Sequence, residues 1–493
     1  MGKKGGAMFR RYLYLLLLTV NLIYPRTIAD TVGWTFRDRQ FLGPAVRYIY
    51  NDTLRGVHIV YKDDYGAIRY NFKPRGQNWR FSQPVIVNRY PRNLGSLDID
   101  ITNGKALIAT EYLNRNQHLI SFFTDQVAGA GTFRETEITT GPQFNLVAAA
   151  RFGYPKFAAI QNDSLYYFSR WSARNLGPIG PFPFHNIVAS KLSSRLGCVW
   201  TDRSTHKLFF RETPDGGGTW YGTRSLSDSA PGSCRFSLFG ASLVYDSIQP
   251  HLVLDLYDGA NRGRIQLWHY CQYQQPAWSF ITEFNFEDTT KLGRHTAALD
   301  RPSIGITRQH TGSTENRLYV VWEQFDPDNI DPVTGIARSD IWACASTDNG
   351  RTWTNPVRLT QPDQTSKRFP IIAEIVNDTL HILYFADQQA GCWELDEGSL
   401  TRNPVIYLRV PTEIFNTGIA ESPTPIRPLP NYPTILTRIN RNQLLTQLPN
   451  GKLFDPMGRT FSIQQLPYLR PGVYYLKTQN FWQRILIINS STR

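Results

Sequence analysis

Hydrophobic and polar positions recur along this chain in one short pattern. A Pro or Arg leads into an apolar run, a small polar turn follows, and a second run returns rich in β-branched and aromatic residues. Residues 44–50, Asn51-Asp52-Thr53 and 57–61 form one copy. Residues 370–376, Asn377-Asp378-Thr379 and 380–384 form another. Residues 155–161, Asn162-Asp163-Ser164 and 165–169 repeat the plan, as do 301–306 followed by 318–322. Looser copies start near Leu94, Ser193 and Ser237. Further strands follow in several copies: 67–72, Trp79 and 85–87 in the first, 207–212 and Trp220 in the fourth, and 340–346, Trp353 and 357–359 in the sixth. Seven units fit between Pro44 and Pro411, each of about 50 residues, the length of a four-stranded propeller blade. Nearly all-apolar runs predict inner strands covered on both faces, and alternating runs predict outer strands wetted on one face. The expected fold is all-β: a six- or seven-bladed β-propeller, with seven units counted, followed by a small C-terminal β-sandwich.

Composition agrees with this. Of 493 residues, 41% are hydrophobic and 13% aromatic, enough apolar surface to offset the ordering entropy that keeps polar chains disordered. The net charge of +13 is carried by the ends: residues 1–29 contribute +5 and residues 437–493 contribute +7, leaving +1 for the body, 30–436. A nucleic-acid binder concentrates positive charge on its binding body, so nucleic acid is not an expected partner.

Lys3, Lys4, Arg10 and Arg11 precede an apolar run over 12–23, and Thr27-Ile28-Ala29 offers small residues at a cleavage site. The run is shorter than the ~20 residues that span a bilayer, so 1–29 is expected to be a secretory signal peptide, with no membrane span left after cleavage. Cys198, Cys234, Cys271, Cys344 and Cys392 show no CxxC spacing. An odd count leaves at least one thiol unpaired, and both buried free thiols and one or two bridges remain open.

Two turns carry a sharper pattern: Thr213-Pro-Asp215-Gly-Gly217-Gly-Thr219-Trp220 and Ser346-Thr-Asp348-Asn-Gly350-Arg-Thr352-Trp353. An Asp accepts hydrogen bonds from its own turn, a Gly supplies positive φ, and the Trp packs on the sheet. The pattern resembles the Asp-box of sialidase-like β-propellers. The resemblance implies a hairpin between the third and fourth blade strands, remote from the active site, and says little about chemistry.

Residues 412–436 hold five prolines and predict an extended linker. Beyond it lie the Asp455-Pro-Met-Gly458-Arg459 turn, the Pro471-Gly-Val-Tyr-Tyr-Leu476 strand and the Arg484-Ile-Leu-Ile-Ile488 strand. This stretch, 437–493, resembles the C-terminal sorting domain of type IX secretion substrates, with Arg484 where a typical member has Lys. The resemblance implies secretion machinery as a partner and a secreted or outer-surface location.

Candidate chemistry is sparse. A sialidase needs an arginine cluster, a Tyr–Glu pair and an acid; no Arg-Ile-Pro opening is present. Arg301 and Arg368 stand at similar places before apolar strands. They face the central cavity as ligands for an anionic group, or they pair with a neighbouring blade. Asp326, Asp328 and Asp331 offer hard oxygen ligands for calcium, or simply form a solvated Asx-turn loop. His58 and His381 share a repeat position that core packing explains. Trp171, Tyr221 and Trp268 are candidate sugar-stacking rings or blade core. No other cofactor is implied. The expected function is a non-enzymatic propeller binding glycan or a cell-surface protein on its axial face. The alternatives are an exo-glycosidase of the sialidase type and a structural envelope component.

Overall fold

The computed structural model describes residues 27–37, 47–88, 93–114, 117–139, 147–151, 154–161, 164–169, 172–178, 184–202, 204–231, 234, 236–237, 241–259, 261–294, 296–307, 316–416, 452–454, 460–462, 472–477 and 482–487. The chain divides between Ile419 and Ala420 into two units.

Among the described residues, the first unit holds seven antiparallel blade sheets. Their inner strands are Ile49–Asp52, Asn93–Asp100, Val147–Arg151, Phe184–Ala189, Ala241–Tyr245, Leu299–Thr307 and Ser366–Ile372; each packs beside the next, and blade seven meets Ile49–Asp52 through Ile375–Val376 and Thr379–Asp387. Burial follows the covering of each strand. Ile49–Asp52, Pro250–Leu256 and Ser366–Ile372 are buried throughout, whereas the outermost strand of blade five, Trp278–Asn285, alternates towards solvent.

Three features differ from the sequence expectation. In blade three the runs 155–161 and 165–169 lie in the second and third strands, Tyr154–Gln161 and Ser164–Ser169, because Val147–Arg151 takes the inner place. The ring is closed by the N-terminal strand Ile28–Thr35, which forms the outermost strand of blade seven against Asn403–Pro411. The propeller strands thus begin at Ile28, inside the 1–29 boundary drawn for the leader; residues 1–26 of that segment lie outside the described residues. Blade seven also lends Ile375–Val376 as a fifth, parallel strand to blade six.

Neighbouring blades are joined by one repeated aromatic device. A ring beside the fourth strand of one blade meets, edge to face, a ring on the third strand of the preceding blade. Phe133 meets Tyr70 at 5.0 Å, Trp220 meets Tyr167 at 5.3 Å, Trp353 meets His269 at 5.6 Å, and Trp79 meets Tyr407 at 5.1 Å, the last joining blade one back to blade seven. Such T-shaped pairs add roughly 0.5–1.5 kcal/mol each beyond area burial.

The first unit continues past Pro411 into a 3-10 turn, Thr412–Phe415, whose Phe415 ring packs 5.8 Å from Tyr319. The proposed linker therefore starts later than residue 412, and its prolines lie outside the described residues. In the second unit Lys452–Phe454, Thr460–Ser462, Gly472–Lys477 and Trp482–Ile487 form one antiparallel sheet. A sandwich needs a second sheet; among the described residues there is one, and the Asp455–Arg459 turn lies outside them.

Candidate functional site

The antiparallel order gives the ring two faces. One carries the turns between first and second and between third and fourth strands; the other carries the remaining connections.

The turns that resemble the Asp-box lie on the first face. The Asp215 carboxylate accepts from the Thr219 amide at 2.8 Å and hydroxyl at 2.9 Å, and Thr213 Oγ1 donates to it at 2.9 Å. Thr213 Oγ1 in turn accepts from the Gly217 amide. Ser346, Asp348, Gly350 and Thr352 repeat this scheme bond for bond. These bonds, the Thr219 amide first, hold the Asp215 carboxyl down at about 2. Both turns dock on the preceding blade: Tyr167 donates to the Gly216 carbonyl, and Ser279 to the Gly350 carbonyl. Asp125, which accepts from the Gly131 and Thr132 amides ahead of Phe133, builds a looser third turn in blade two. Three inserted residues between its Asp and Thr hide it from the spacing rule.

Arg301 and Arg368 come together near the opposite face, where the inner strands begin, but as a closed cluster. Arg301 contacts Asp300 at 3.0 Å and Glu323 at 2.5 Å. Arg368 reaches the other Glu323 oxygen at 3.3 Å, and the Phe369 amide donates to that oxygen at 2.6 Å. The Phe369 ring lies 4.2 Å and 4.9 Å from the two guanidinium carbons. Arg301 and Phe369 both take positive φ, 53° and 56°. Burial alone raises the Glu323 carboxyl, but the Arg368 and Arg301 charges outweigh it and hold it low. Beside it Asp255 hydrogen-bonds Asp300, and burial followed by the Asp300 charge pushes Asp255 well above the carboxylate range, so the pair keeps a proton. Arg301 is 5% exposed, Arg368 3%, and Asp300 and Glu323 0%. The cluster joins blades five, six and seven, and neither arginine presents a free face to a ligand.

The middle of the ring is likewise filled. Lys191 reaches from blade four to Asp98 of blade two at 2.5 Å, with its ammonium 5.4 Å from the Tyr50 ring of blade one. Arg47 contacts Glu374 at 2.6 Å and the Leu243 carbonyl at 3.3 Å.

Two of the three aspartates of the 326–331 loop are already matched to cations: Asp326 to Arg358 at 2.7 Å and Asp331 to Arg338 at 3.1 Å. Asp326 also accepts the Asp328 amide in an Asx turn, and among the described residues no metal-holding group of carboxylates, histidines or cysteines is assembled. All five cysteines are buried, and no two of them are bridged. His58 and His381 hydrogen-bond Tyr70 and Tyr407, each at 2.7 Å, and His251 meets His269 at 3.1 Å in the same diagonal relation. Tyr221 is exposed on blade four. Trp268 packs at 5.2 Å on Phe280 of its own blade, and Trp171 lies outside the described residues.

An open feature sits on the first face, where the inner strands of blades six, seven and one end. A cleft of about 810 Å³ is walled by the Asn51–Val57 and Ile375–Thr379 turns and by Lys73–Gly76, with Thr307, Arg317, Arg409 and Thr412 at its side. His381 and Tyr407 line it as well, their rings stacked 5.9 Å apart. Burial, then the Arg409 charge, lowers His381 to about 4, so its imidazole is neutral. Sequence reasoning missed this cleft because the Asn-Asp-Thr copies that signalled a repeat are the same turns that build it.

No family model matches the chain, and no curated protein sequence matches significantly. Solved structures with a similar course of chain include a polysaccharide lyase of the ulvan lyase kind, at 11% identity and TM-score 0.45, covering 74% of this chain and 94% of that one. An oligogalacturonate lyase from Vibrio parahaemolyticus matches at 8% identity and TM-score 0.41, covering 79% and 99%. The Trypanosoma rangeli sialidase in complex with sialic acid matches at 11% and 0.38, covering 79% and 60%.

Proposed function

We propose that this propeller is a non-enzymatic glycan-binding protein that takes its ligand on an axial face, in the cleft between blades one and seven. One contrast supports the reading. The cleft is open and lined by amide, hydroxyl and mostly cationic side chains, whereas Arg301, Arg368, Asp300 and Glu323 are buried and spent on one another. Pockets of about 300–1,000 Å³ suit small ligands, and this cleft has room for a short oligosaccharide. By the resemblances described above, the chain would be exported with a leader and a C-terminal sorting domain, to be secreted or held on an outer surface. Among the described residues no helix is long and apolar enough to cross a membrane.

The test is a glycan array probed with the full chain, run beside a fluorogenic sialoside assay. Binding to one glycan class, lost in Arg409→Gln, is the expected result. A blank array together with sialoside turnover that disappears in Arg301→Ala would overturn it in favour of a glycosidase.

A further inference from the structure

We infer that the cleft between blades one and seven takes an acidic glycan, an oligosaccharide bearing several carboxylate or sulfate groups. The inference rests on the glycan reading above and narrows its ligand class.

Lys73, Arg75, Arg317 and Arg409 line the cleft, against Asp52 and Asp378. Asp52 is already held by Arg55 at 2.8 Å. The four cations form no ion pair with the described residues. Arg75 reaches only the Thr53 carbonyl, at 3.5 Å, and Lys73 rests over the Trp79 ring at 5.5 Å. Arg409 keeps a buried Nε–H with no hydrogen-bond partner among the described residues. Burial, then the neighbouring Arg409 charge, outweighs the opposing charge of Asp30 and lowers the Lys73 ammonium, which marks two crowded cations. Elsewhere in this unit buried cations are matched: Arg47 to Glu374, Lys191 to Asp98, Arg301 to Glu323 and Arg338 to Asp331. The body, 30–436, carries a net charge of only +1, so four unmatched cations in one cleft are not a reflection of general basicity.

Guanidinium groups bind carboxylate and sulfate through paired N–H donors, which suits them to acidic sugars. Neutral donors and acceptors for sugar hydroxyls stand on the same walls, at the exposed Asn377 and at Thr379. Nucleic acid fits less well. Its bases need free aromatic faces, and Tyr407 is stacked on His381 and met edge-on by Trp79.

Isothermal titration calorimetry of the full chain tests this with four probes: a uronic-acid hexamer, a sulfated galactose hexamer, a neutral galactose hexamer and a single-stranded oligonucleotide. One or both acidic hexamers should bind at least about tenfold tighter than the neutral one, with affinity falling as salt rises. The Lys73→Gln/Arg409→Gln double variant should lose about tenfold or more, and Arg134→Gln, on the exposed fourth strand of blade two, should lose nothing. If the double variant melts early, the exposed Arg317→Gln carries the comparison in its place. Neutral and acidic hexamers binding alike would sink the acidic inference and leave the glycan reading standing. Hexamers that all fail to bind, with a blank glycan array, would remove both. Acidic binding indifferent to the cleft variants, or matched by the oligonucleotide, would also overturn the inference.

Discussion

Replacing Glu323 by Gln should destabilise the propeller severely, while replacing nearby Asp255 by Asn should cost nothing at neutral pH. Glu323 is wholly buried and serves Arg301, Arg368 and the Phe369 amide at once. The substitution keeps the side chain's shape and removes its charge. Arg301 would keep Asp300 at 3.0 Å, but Arg368 would keep only the Gly391 carbonyl at 3.5 Å and the farther charge of Asp387. Leaving a buried guanidinium uncompensated costs about 3–5 kcal/mol. Asp255 differs because burial and the Asp300 charge both raise it, favouring its protonated form. An acid raised on folding adds stability at low pH, and that contribution fades as pH climbs through its folded value. Asp255→Asn preserves a neutral hydrogen-bonding group beside Asp300 and needs no proton taken up on folding, so at neutral pH it should leave stability unchanged or raise it. Urea unfolding followed by tryptophan fluorescence, with both variants beside the wild type, measures the difference. A loss below about 1 kcal/mol for Glu323→Gln, or equal losses for the two, would refute the argument that charge pairing holds blades five to seven together.

Gly350→Val should cost several kcal/mol, at least the roughly 1–3 of overpacking, because Gly350 takes φ +85° and a Cβ there would stand 2.5 Å from the His269 ring; thermal melting reads it. Gly76→Ala, also at positive φ but with open space around its Cβ, should cost only about 1 kcal/mol by the same measurement. Acid should weaken the fold through its neutral histidines. His58 and His381 are lowered to about 3 and about 4 by burial, so their contribution is full above pH 6.5 and drains away as pH falls towards those values. Each would add a slope of about 1.4 kcal/mol per pH unit across that window, and His381→Phe should flatten the measured dependence. Trp353→Ala should cost about 3–5 kcal/mol in urea unfolding, since the indole meets His269 and donates to Ser279 Oγ at 3.2 Å.

The seven units were legible because inner strands covered on both faces must be apolar, and because Asn-Asp-Thr and Asp-x-Gly-x-Thr-Trp turns have local causes. Ser346, Asp348, Gly350 and Thr352 bond to each other within a single turn, so their spacing carried the geometry. Arg301 and Arg368 were found by position, and pairing across blades was one of the two readings, but their partner was not found. That partner is Glu323, 22 and 45 residues away, and no local pattern announces a long-range carboxylate. The cleft was hidden for the same reason. Lys73, Arg317 and Arg409 come from three blades, and each looks like an ordinary strand-end charge until the ring sets them side by side. The fourth strand of blade seven was missed because it comes from the far end of the sequence.

That borrowed strand has a consequence for how the molecule is made. Ile28 opposes Arg409 and Thr35 opposes Asn403, so the propeller's N-terminal strand must wait for the C-terminal strand of this unit before the circle can shut. Until then Asn403–Pro411 is a bare edge, open to pairing with another chain. A leader cut after Ala29 would also trim two residues from this clasp, whereas a cut a few residues earlier would leave it whole. If 1–29 is a leader, its removal and the closure of the ring would draw on the same short stretch of polypeptide.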